Sequence, residues 1–158
     1  LTLYFAFKYI DWAPLKLICG INESNFQHYK AAFFSWMIVS LIEYPLVKRS
    51  ITGRDSYFYS RMATTTILPW FIFILWYTGP AVYGQMPNIG LEIAYANLIT
   101  ILSGLTAAVF EKGLIQIKYF TGLKIVIIIL FLVSLMHYIV FTFAKLPWAD
   151  VFVEPAWR

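Results

Sequence analysis

Charge is scarce in this chain. Only 13% of its 158 residues are Asp, Glu, Lys or Arg, against about 25% in an ordinary soluble domain. A water-soluble core of this size must cover itself with polar surface, so the shortage excludes a single soluble domain. Cysteine is scarcer still. Cys19 stands alone, which excludes an internal disulfide. It has no Cys or His neighbour at metal-ligand spacing, so it reads as inert packing. The sequence also lacks GxSxG, a Walker loop, HExxH and any paired metal motif. It holds no internal repeat, low-complexity tract or second domain.

Apolar residues fill the space that charge leaves. They make up 61% of the chain, aromatics alone 20%, and the mean hydropathy is +0.72. Long apolar runs predict an all-α polytopic transmembrane bundle forming one integral membrane domain. The 6 Trp and 11 Tyr suit interfacial belts. A formal charge of +4 could suggest nucleic acid. The basic residues sit in short loops between apolar runs, where they set topology, so nucleic acid is excluded as a partner.

Five spans are expected, over 1–10, 29–46, 62–77, 91–110 and 125–143. The first is a stub. Ten residues make about half a crossing at 1.5 Å per residue, so the chain is expected to begin inside that span. Pro14 ends it. The segment PLKLICGI is too short to cross and reads as interfacial or re-entrant. Pro69 should kink the third span, and Gly79-Pro80 should stop it. The tail, 144–158, reads as interfacial, anchored by Trp148 and Trp157. Lys48, Arg49, Arg54, Arg61, Lys112, Lys118 and Lys124 fall in the two loops that follow spans two and four. The positive-inside rule puts those loops in the cytoplasm and the C-terminus outside.

That topology gathers polar groups in the outer half of the bundle. The stretch GINESNFQHYK, Gly20 to Lys30, precedes span two. Glu92 opens span four, Asn97 follows it, and His137 lies in span five. Ionisable groups within spans face a protein interior or a wet cavity, because lipid exposure costs a few kcal/mol or more. Candidate acid–base residues are therefore Glu23, His28, Glu92 and His137, with Asn22, Lys30 and Asn97 as candidate binding residues. Helix capping competes for part of this set. Asn22 suits an N-cap with Glu23 in the first turn, or Ser24 and Gln27 form the S-x-x-Q box. Capping leaves His28 unexplained. Two histidines at different depths make a poor haem pair, and no spacing supports zinc, so no cofactor or metal is expected.

Two further patterns are structural. Asn97, Thr100, Gly104, Ala107, Ala108 and Glu111 share a helix face of about 100°, which predicts a packing seam. Glu43 and Glu111 lie at inner span ends, near Lys48 and Lys112, and are expected to pair there.

The motif GINESNFQHYK with LIEYP after it resembles an uncharacterised family of small prokaryotic multi-span membrane proteins with a PVNESxxxHxK-like signature. The resemblance covers Gly20 to Pro45 and extends to the ending LPWADVFVEP. The chain departs from that pattern at Gly20-Ile21 and Glu154. The resemblance implies a multi-span protein in a prokaryotic plasma membrane and no known activity. It favours Asn22, Glu23, His28 and Lys30 as one unit.

The functional expectation is a non-catalytic membrane protein. It would be a subunit of a membrane complex or a small binding module with a polar outward cavity, in contact with lipid and other subunits. The alternative is a small intramembrane enzyme acting on a lipid or apolar substrate, with Glu23 or Glu92 as acid or base and His28 or His137 as proton partner. A secondary transporter is disfavoured by five spans and no inverted repeat.

Overall fold

The computed structural model describes residues 13–21, 24–51, 53–84, 86–144 and 150–152. A short helix, α1 (Ala13–Ile18), leads into four long ones: α2 (Asn25–Val47), α3 (Arg54–Tyr83), α4 (Ile89–Ile115) and α5 (Thr121–Phe143). A 3-10 turn, Asp150–Phe152, follows. No strand occurs among the described residues. The expected first span lies outside them, as does most of the tail with Trp148 and Trp157.

All four long helices are long and apolar enough to cross a membrane. The chain therefore reads as an integral membrane protein with four candidate spans among its described residues. Short connections make neighbours antiparallel, and α3 is the helix against which α2, α4 and α5 all pack. At 30 residues α3 is the longest. It would extend about 45 Å, beyond the roughly 30 Å hydrocarbon core of a bilayer.

Several boundaries differ from the expected ones. PLKLICGI contributes one short helix and no crossing. The third span does not stop at Gly79-Pro80. Helix α3 continues to Tyr83 and ends at Gly84, whose φ of 78° favours glycine and whose N–H returns to the Pro80 carbonyl at 2.9 Å. Proline within a membrane helix is tolerated when neighbours satisfy the freed backbone groups. Gly79 has a different task. A Cβ there would fall 2.0 Å from the Tyr95 hydroxyl, so the missing side chain lets α4 seat its tyrosine against α3. That hydroxyl donates to the Leu75 carbonyl at 2.6 Å.

Helix α3 also starts earlier than expected. Arg61, assigned by hydropathy to the loop, lies well inside it. Arg61, itself partly buried, lies on one helical stripe with Tyr57, Thr64, Leu68 and Ile72, which are buried. The facing stripe on α4 is Ile99, Ser103, Ala107 and Glu111, spaced four apart and buried. The predicted seam thus shifts around the helix: Ala107 and Glu111 belong to it, while Thr100 and Ala108 are exposed.

The aromatic core occupies the opposite end. Phe26, Tyr29, Phe33 and Phe34 of α2 meet Ile72, Ile99 and Tyr138. Phe33 packs on Phe131 and Tyr138 with ring centroids 5.5 and 5.1 Å apart. Phe152 of the 3-10 turn lies 4.9 Å from Phe26. The described part of the tail therefore folds back onto the start of α2.

Candidate functional site

The stretch GINESNFQHYK is divided by the fold. Asn22 and Glu23 lie outside the described residues. Helix α2 starts at Asn25 with Ser24, rather than Asn22, at the N-cap, and Ser24 makes no side-chain cap bond. Gln27 is buried, and its side-chain oxygen accepts from the Ile21 N–H at 3.3 Å. That is a variant of the expected capping box, reaching back past the cap residue.

Lys30 is fully buried. Its ammonium donates to the Lys16 carbonyl at 2.7 Å, at the C-terminal end of α1. A cation there satisfies a carbonyl that the helix leaves unbonded and meets the negative end of its dipole. Cys19, also fully buried, follows directly. Lys30 thus fastens α1 to α2, and its charge is engaged within the protein.

His28 faces α3 and α4. With Asn25, Trp76, Ile99 and Thr100 it lines a cavity of about 20 Å³, room for about one water molecule. His137 lies elsewhere, exposed on α5. Its ring meets Phe26 at 5.8 Å, Phe141 at 4.7 Å and Phe152 at 6.4 Å. Phe26 and His28 are two residues apart, about 200° around the helix, so the two histidines occupy different flanks of α2. Glu92 is half-buried in the first turn of α4, where Asn88 caps the helix by accepting from the Leu91 N–H at 2.9 Å. The Asn97 amide donates to the Ile93 carbonyl of its own helix at 2.8 Å. Among the described members of the expected set, His28 lines a cavity with polar groups from other helices.

The densest polar constellation is at the other end. Arg61 of α3 reaches Glu43 of α2 through Nη2, and its Nε lies 3.1 Å from Glu111 Oε1 on α4. The Trp36 indole donates to the other Glu111 oxygen at 3.2 Å. The Tyr57 ring lies 5.2 Å from the guanidinium carbon. Glu43 and Glu111 therefore pair with Arg61, not with Lys48 and Lys112 as expected. Glu111 sits directly beside Lys112 in the chain, and adjacent helical side chains point apart. Glu43 to Lys48 is five residues, about 140° of rotation, with Lys48 already at the helix end.

Chemically, the cluster is a clasp. One planar guanidinium donates through Nη2 to Glu43 and holds Nε within ion-pair distance of Glu111, so a single delocalised charge serves two carboxylates. It joins three helices, and the Glu111 side chain is only 8% exposed. The signal for it was present in the sequence: an arginine on the buried stripe of α3.

Comparison with protein-family models, with curated proteins and with solved structures finds no match for this chain. The class is therefore carried by the fold alone: an α-helical integral membrane protein.

Proposed function

We propose that this chain is a non-catalytic subunit of a membrane complex. The observation that carries the reading is α5. Over Thr121–Phe143 only Ile127 and Tyr138 are buried. Ile125, Ile129, Leu132, Val133 and Met136 are each at least half exposed. A helix committed so little to its own bundle is free to pack against another subunit. The cavity at His28, about 20 Å³, accommodates about one water, and the apolar cavity of about 240 Å³ between α3 and α4 is lined by none of the candidate acid–base residues, which favours the non-catalytic reading. The resemblance around GINESNFQHYK is consistent with a multi-span role and adds no activity.

The topology that fits the charge pattern puts the connections after α2 and α4 in the cytoplasm of a prokaryotic cell and the C-terminus outside. A Ser50→Cys variant in a Cys19→Ser background tests that orientation. It should react with a membrane-impermeant maleimide only after the cells are opened.

Purification in mild detergent tests the function. A second membrane polypeptide in fixed stoichiometry is expected. A stable, monodisperse monomer that turns over a lipid substrate would overturn the reading.

A further inference from the structure

The ion pairs leave one end of the bundle strongly and asymmetrically charged. Asp55, at the start of α3, pairs with Lys124 in the first turn of α5. Tyr59 stacks on Tyr119 with centroids 5.5 Å apart. Together with the Arg61 cluster, these contacts bring the α2–α3 and α4–α5 connections to the same end. That end carries seven basic side chains, Lys48, Arg49, Arg54, Arg61, Lys112, Lys118 and Lys124. It carries three acidic ones, Glu43, Asp55 and Glu111. The surplus is four, equal to the formal net charge of the entire chain.

The acids are already spent. Glu43 and Glu111 share Arg61, and Asp55 holds Lys124. Among the described residues, no carboxylate lies within 4 Å of Lys48, Arg49, Arg54, Lys112 or Lys118. All five are exposed. Aromatic rings sit among them. Tyr44 lies 5.0 Å from Phe58, and Phe120 is 67% exposed. Such rings prefer the boundary between hydrocarbon and headgroups.

We propose that this end is a binding surface for anionic phospholipid headgroups. The five cations stand at the ends of candidate membrane spans, the depth at which lipid phosphates lie. Basic side chains clustered beside a span recruit anionic lipids in this way. The position argues against nucleic acid, which would have to displace the headgroups already there. Charge complementarity selects the lipid class: headgroups with net negative charge over zwitterionic ones. This inference depends on membrane insertion and not on the presence of a partner subunit.

The full chain, extracted in mild detergent and equilibrated with equal amounts of phosphatidylglycerol and phosphatidylcholine, tests the proposal by the lipid retained after washing. The account predicts at least about fivefold enrichment of phosphatidylglycerol at 50 mM salt, falling toward parity at 0.5 M, as screening shortens the reach of the cations. The variant K48Q/R49Q/R54Q/K112Q/K118Q should lose the enrichment while keeping wild-type helix content. If that variant does not fold, the salt series on the wild-type chain decides alone. Equal retention of both lipids at low salt contradicts the proposal. So does capture of a short RNA oligonucleotide in detergent without any lipid preference.

Discussion

Trp36 and Glu111 are 75 residues apart in the chain, and the indole of one donates to the carboxylate of the other at 3.2 Å. The other oxygen of that carboxylate faces Arg61, which also holds Glu43. Three long helices are therefore registered at one point by one guanidinium. At the opposite end the registration is aromatic. The bundle is pinned by electrostatics at its basic end and by ring packing at the other.

Removing the pin should be costly. Arg61→Ala leaves two carboxylates facing each other without a cation. Breaking a buried pair by removing one partner costs about 3–5 kcal/mol. Glu43 is 38% exposed and water can screen it, so the lower end, about 3 kcal/mol, is expected. Glu111→Gln should cost less, because the amide oxygen still accepts from Trp36. Thermal denaturation in detergent should rank the variants Arg61→Ala, then Glu111→Gln, then Glu43→Gln, from most to least destabilised.

Gly79 and Tyr95 should behave as a coupled pair. A methyl group at 79 meets the Tyr95 hydroxyl oxygen at 2.0 Å and its ζ carbon at 2.3 Å. The ring must therefore move and give up its bond to the Leu75 carbonyl. Overpacking of this kind costs about 1–3 kcal/mol. The double variant Gly79→Ala/Tyr95→Ala removes the clash, so its loss should be smaller than the sum of the single losses. A double-mutant cycle measures the difference, and simple additivity would contradict the contact.

Lys30 should control access to Cys19. The buried ammonium holds the last turn of α1 against α2, and the thiol that follows is fully covered. Lys30→Ala removes a charged hydrogen bond worth roughly 1.5–3 kcal/mol. Local opening of α1 becomes easier by that amount. The rate of Cys19 labelling by a membrane-permeant maleimide should rise by about tenfold or more, with the helix content of the bundle unchanged. An unchanged rate would separate Lys30 from the anchoring of α1.

Hydropathy alone located the four long helices, because the apolar requirement of a span is a local property of composition. Their ends were less legible. Pro80 looked like a stop, yet the terminating feature is the positive φ of Gly84, four residues on. The Arg61 cluster was hidden for a different reason. Local spacing offered Lys48 and Lys112 as partners, while the true partner is set by packing between helices. Arg61 itself was readable as anomalous once its stripe, with Tyr57, Thr64, Leu68 and Ile72, is drawn on a helix. At the candidate site, sequence order placed His28 and His137 at one end of the bundle. It could not place them around α2, because that needs the helix start at Asn25 and the burial of Phe26 against α5.

The central claim is that the exposed face of α5 meets another polypeptide. A photo-crosslinking residue at Ile129, Val133 or Met136, activated in native membranes, tests it most directly. The account predicts one discrete protein adduct of constant mass from each of the three positions. Adducts to lipid alone, from all three, would contradict it.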